Sequence, residues 1–162
     1  RSGGQKRSEP NRLKAAALNK RVVDSILHRN PNANIINMGD FNDDPTNKSL
    51  AEVLKATHKK RRVFKNKLLY NPMVSFYKQG VGTACHRDTW SVLDQIHLSG
   101  GLLKADADEW KFWKAGIFNK PYLITKEGRY KGYPFRSFSS GRYLNGYSDH
   151  FPVYAYLIRE VD

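Results

Sequence analysis

The sequence predicts an α/β domain, on three observations: a helical stretch that runs directly into a short apolar strand, an antiparallel hairpin in mid-chain, and a plain strand at the end. Residues 9–28 gather Leu13, Ala16, Ala17, Val22, Val23, Ile26 and Leu27 towards a core and leave Lys14, Lys20 and Arg21 in solvent. Ser8, Glu9 and Pro10 read as the entrance of this helix, with a hydroxyl cap and an acid and a proline in its first turn. Asn30-Pro31-Asn32 ends it, and residues 33–38 follow at once as a short, β-branched strand. A helix feeding a strand in this way is half of an α/β unit.

That strand runs into Gly39-Asp40-Phe41-Asn42-Asp43-Asp44-Pro45, where a polar loop begins. If strand geometry persists through Phe41, Asp40 and Asn42 point to one side and Phe41 to the core. An oriented acceptor and donor at the end of a strand can align a water and a phosphate oxygen. The same residues also suit an Asx turn, in which the side chains cap their own backbone.

Beyond this loop, Thr46 or Asn47 can cap a short helix over residues 47–55 carrying Leu50, Val53 and Leu54. Lys59-Lys60-Arg61-Arg62, with Lys65 and Lys67, reads as a solvated loop or as a contact for a phosphate backbone. Residues 81–86 and 90–99, separated by Arg87-Asp88, read as an antiparallel hairpin closed by Gly100-Gly101. Asp94 lies in the middle of the second, apolar strand, and a carboxylate buried there needs a partner. Residues 103–147 are aromatic, basic and repeatedly broken by glycine, which predicts mostly loop with short helical or strand pieces. Their rings and guanidinium groups either grip a base or phosphate or simply pin the loop. Asp149-His150 then stands at the entrance of a terminal strand over residues 153–158.

A chain of 162 residues with 40% hydrophobic content is the size of one domain, residues 1–162. No apolar run reaches membrane-spanning length. Cys85 is the single cysteine, so no internal disulfide forms, and His86 beside it is too little company for a structural zinc site. The net charge of +13 favours an anionic partner. The first residues, basic and polar with no initiator Met, do not read as a signal peptide, and the sequence is expected to be a portion of a longer chain.

Gly-Asp-Phe-Asn at 39–42, Leu-Asp-Gln-Ile at 93–96 and Ser-Asp-His-Phe-Pro-Val at 148–153 stand in an order that resembles the endonuclease/exonuclease/phosphatase superfamily, the fold of pancreatic deoxyribonuclease. The resemblance implies the carboxy-terminal half of a four-layer α/β/β/α sandwich with a mixed, largely antiparallel sheet, the amino-terminal portion being absent. With it would go a metal-binding glutamate and one histidine, leaving the isolated chain weak or inactive. It also implies that the inner sheet face lacks its partner, so that copies self-associate or the chain belongs to a longer polypeptide; a wholly polar inner face would contradict this.

By the same resemblance Asp40 would position or deprotonate the attacking water, Asn42 would orient the phosphate, and Asp94 would hold the ring of His150. His150 would donate to the scissile phosphate, and Asp149 would help to bind Mg²⁺ or Mn²⁺, cations that suit oxygen ligands. Trp90, Arg136, Arg142 and Tyr143 are further candidates for substrate contact. Two functions are expected from this reading. One is metal-dependent hydrolysis of a phosphodiester or phosphomonoester, nucleic acid among the substrates; the other is a non-catalytic nucleic-acid-binding module resting on charge and aromatic rings.

Overall fold

The computed structural model describes residues 4–104 and 108–160. Its first element, α1, spans Gln5–Arg29 and begins at Gly4, earlier than the entrance read at Ser8. Pro10 therefore lies inside the helix, and the opening turn is tied by Ser8 Oγ donating to the Gly4 carbonyl and by Arg12 donating to the Gln5 carbonyl at 2.9 Å. The buried stripe of α1 is narrower than expected. Ala16, Val23 and Leu27 pack on Leu50, Leu54, Ala56 and Leu69, whereas Val22 and Ile26, with Leu18, are exposed. The turn at Ser49–Val53 and the loop residues after it cover only one line of side chains, and the neighbouring i, i+4 row stays outside that contact.

The first strand, β1, spans Ile36–Asp40 and pairs antiparallel with β4, Asp94–Leu98, in a register that sets Asp40 opposite Asp94. The predicted hairpin exists only in part. β2 (Ala84–His86) pairs with β3 (Thr89–Ser91) through Arg87 and Asp88 at φ of 50° and 62°, the left-handed pair that a two-residue hairpin turn requires. The expected second strand then breaks at Val92 and Leu93 and re-forms as β4 against a different partner. Side chains hold this break: Asp44 Oδ1 accepts from Val92 N at 2.8 Å, and Thr83 Oγ1 accepts from Leu93 N and Asp94 N at 3.1 and 3.2 Å.

In the long aromatic segment one of the expected strand pieces is seven residues long. β5 (Lys111–Ile117) runs along β8 (Val153–Ile158), with a bulge between Phe112 and Lys114 that offsets the alternation of its side chains. The remainder is loop, carrying a 3₁₀ turn at Pro121–Leu123 and a small hairpin, β6 (Phe138–Ser139) with β7 (Arg142–Tyr143). The basic run at 59–62 lies largely on a helix, α2 (Lys60–Asn66), where only Val63 is buried. The short helix expected at 47–55 is a π-type turn over Ser49–Val53, and α3 (Val74–Lys78) is a further helix that the sequence pattern did not predict.

The layers are helix, sheet and sheet. Asn19 on α1 donates to Asn37 on β1 at 2.9 Å, and on the opposite face Ile96 and Leu98 of β4 pack with Leu102 against Phe112, Val153, Ala155 and Leu157. A fourth, helical layer over β5 and β8 is absent among the described residues, and Trp113 and Tyr156 stand exposed there. The inner face of β1 is apolar and only partly covered: Met38 is 71% exposed and Ile36 45%. Among the described residues no helix is long and apolar enough to cross a membrane.

Candidate active site

The paired ends of β1 and β4 place Asp40 and Asp94 side by side on the inner face, and the loop entering β8 brings His150 to them. His150 Nδ1 and Asp94 Oδ2 are 2.8 Å apart, with both side chains partly exposed. Asp40, Asp94 and His150 bring one ligand atom each within 4.8 Å of one another, a grouping that could hold a metal ion. The hydrogen bond that His150 donates to Asp94 raises the His150 pKa; burial works against it, and the negative charges of Asp94, Asp40 and Asp149 add to the rise. The imidazolium is thus favoured, with Nδ1–H spent on Asp94 and Nε2–H left to donate. A titration of His150 followed by NMR is expected to show a midpoint above 6.5 that falls in Asp94→Asn; a midpoint unmoved by that change would show that Asp94 is not what raises it.

Asn42 does not continue the strand beside Asp40. It sits at φ 53°, and its backbone N–H and side-chain amide donate to the two oxygens of Asp40 at 2.8 and 3.1 Å. This is the Asx turn, and it fixes the direction of the Asp40 carboxylate. The two acids that follow anchor the loop. Asp43 is buried, ion-paired with Arg12 of α1 at 2.7 Å, and accepts from Ser49 Oγ at 2.6 Å and Asn47 Nδ2 at 2.7 Å. Burial alone would raise its pKa, but these donors and the Arg12 charge outweigh that and lower it. Asp44 accepts from β3 and from Val92, as described above.

Two further groups position the site, and neither was read from the sequence. Thr83 is fully buried; its hydroxyl holds the backbone of Asp94, and its carbonyl accepts from Phe151 N at 2.8 Å, so one residue ties the strand of Asp94 to the segment of His150. Behind β4, Gln95 and His97 are fully buried in a polar chain. Gln95 Nε2 donates to the Asp43 carbonyl at 2.8 Å and the Val92 carbonyl at 2.9 Å, while its Oε1 accepts from Asn71 Nδ2 at 2.7 Å and meets His97 Nε2 at 3.2 Å. His97 Nδ1 faces Asn37 Nδ2 at 3.2 Å, and since Asn37 Oδ1 already accepts from Asn19, Nδ1 is the acceptor and Nε2 carries the proton. Burial drives the His97 pKa down to about 3, so the ring is neutral. Polar residues at alternate positions of an otherwise apolar strand are the one sign that could have revealed this chain.

Beside His150 opens a cleft of about 480 Å³, lined by Asn42, Cys85, His86, Arg136 and Asp149 among others. Arg136 is thus the one expected substrate contact that borders it. Trp90 stacks on Phe151 with ring centres 6.0 Å apart and planes 13° apart, and so packs under the His150 segment. Arg142 and Tyr143 lie exposed on β7, where Tyr143 packs against Phe138 at 5.2 Å, and neither lines the cleft.

Searches of curated proteins and of solved structures gave no match. A scan of protein families matched the endonuclease/exonuclease/phosphatase family over residues 1–159, which includes every element of the site. The chain belongs to the endonuclease/exonuclease/phosphatase family.

Proposed function

We propose that this chain carries the catalytic groups of a divalent-metal-dependent phosphoesterase, a nuclease-like hydrolase of phosphodiesters or phosphomonoesters. The observation that carries the proposal is the His150–Asp94 pair at 2.8 Å beside Asp40. In this reading Asp40, aimed by Asn42, orients a water and accepts its proton as it attacks phosphorus, while the Asn42 amide steadies a phosphoryl oxygen. His150 donates from Nε2 to the phosphate or to the departing oxygen. Asp94 fixes its tautomer and supports its charge, as carboxylates do behind other catalytic histidines. The donor set fits a hard cation, since three carboxylates surround His150 and the imidazole is already engaged by Asp94. Asp149, which lines the cleft beside His150, would hold Mg²⁺ or Mn²⁺, which supplies neutralisation of charge on the phosphoryl oxygens. The part-covered inner face at Ile36 and Met38 supports the further reading that the chain is the carboxy-terminal portion of such a domain.

Hydrolysis of a generic phosphodiester, of single-stranded and duplex DNA and of a phosphomonoester tests this, with the chain alone and joined to the amino-terminal portion of a family domain. Turnover is expected with Mg²⁺ or Mn²⁺, to vanish with chelator and to return on adding metal. Turnover indifferent to chelator, or none from the joined protein, would defeat the proposal. A second reading, a nucleic-acid-binding module, is favoured by the exposed basic face of α2 and by Lys114 lying 4.1 Å from the exposed ring of Trp113.

A further inference from the structure

A second pocket, of about 340 Å³, opens next to the cleft of His150 and shares Cys85, His86 and Arg136 with it. Arg87 and Arg129 complete its cationic lining, and Ser139 and Ser140 add hydroxyl donors. Its one carboxylate, Asp88, is occupied at Oδ1 by the Tyr133 hydroxyl at 2.6 Å, so positive charge exceeds negative in the lining. Among the described residues none of the three guanidinium groups forms an ion pair; Arg129 lies over the Tyr130 ring at 5.9 Å. The walls are set before any ligand arrives. Tyr133 accepts from Asp88 N at 2.7 Å and packs on both Trp90 and Tyr130, which pins the β2–β3 turn to the long loop. Unpaired guanidinium forks beside hydroxyl donors match a phosphate, whose several oxygens accept in more than one direction.

We infer that this pocket is a subsite for a second phosphate group on the same substrate whose first phosphate lies at His150. The inference rests on the phosphoesterase reading and narrows it: the substrate carries two phosphates, one cleaved and one held by Arg87, Arg129 and Arg136. A small doubly phosphorylated molecule and two neighbouring phosphates of a nucleic acid share this chemistry.

Calorimetry with glucose 6-phosphate, glucose 1,6-bisphosphate and the 5′-phosphorylated dinucleotide pTpT tests it. A two-phosphate probe is expected to bind about tenfold or more tightly than glucose 6-phosphate, an advantage lost in Arg87→Gln/Arg129→Gln. Both arginines are exposed, so the variant keeps its fold. Lys60→Gln/Arg61→Gln, which removes the same charge from α2, is expected to keep the advantage. A wild type that binds no probe or shows no preference overturns the inference, as does a preference that survives in the arginine variant or is lost equally in the α2 variant. A preference confined to pTpT assigns the pocket to a nucleic-acid backbone, and one shared by both probes to phosphate itself. Should no ester be hydrolysed while the preference and its loss persist, the phosphoesterase reading falls and the anion subsite stands.

Discussion

Asp94→Ala is expected to lower phosphoester turnover by about a thousandfold, mostly in kcat, while leaving the salt-dependent affinity for DNA within about twofold of the wild type. Among the described residues the Asp94 side chain hydrogen-bonds to His150 Nδ1. The backbone of Asp94 is held independently by Thr83, so truncation leaves the strand in place and frees only the ring. An unheld imidazole loses both its fixed tautomer and the interaction that raises its pKa. The limb of the pH–rate profile due to His150 should accordingly move towards lower pH in any residual activity. A nucleic-acid-binding module gains nothing from an acid behind a histidine. Equal loss of turnover and binding would therefore count against the catalytic assignment, as would no loss of either.

The second large effect is on stability and comes from a different histidine, His97 on β4. His97 is neutral in the folded chain down to about pH 3, whereas in the unfolded chain it takes up a proton near 6.5. Between these values the unfolded state binds the extra proton, so stability falls as the pH falls, by about 1.4 kcal/mol for each pH unit below 6.5. His150 acts in a different window. Its folded pKa is raised, so its contribution is complete below 6.5 and is lost as the pH climbs through the folded value. Asp43, with a lowered pKa, adds to the acid loss below about 3.8. Urea unfolding midpoints across pH should therefore peak near 6.5, with the steep side on the acid flank. His97→Gln, which can keep a donor and an acceptor in the chain, should flatten that flank; an acid flank unchanged by this substitution would show that His97 is not its cause.

What the sequence made legible was whatever is local or carried by a motif. The terminal strand, the α1–β1 order and the acids Asp40 and Asp94 could be marked because strands and loops around them have their own periodicity and breakers. The rest depended on partners distant in the chain. Leu18, Val22 and Ile26 share the period of the buried stripe of α1, and only the reach of the distant segment around Leu50, Leu54 and Leu69 decides that they stay outside. Residues 90–99 look like one strand because nothing local shows Thr83 and Asp44 turning the backbone at Val92. Trp90 in sequence reads as a candidate substrate contact, and it takes tertiary packing on Phe151 to make it a support. Asn42 could be read either as a substrate group or as a turn former; in the folded chain it makes the turn on Asp40.

The open inner face of β1 also gives the protein a built-in chemical reporter. The chain has two methionines, and they are extremes: Met38 stands 71% exposed on that face, and Met73 is wholly buried. Sulfoxide formation by dilute peroxide follows access to the sulfur, so Met38 records whether anything covers the face while Met73 records whether the fold has stayed shut. A mass shift of one oxygen, assigned by peptide mapping, reads the state of the sheet without a label, a mutation or a known partner.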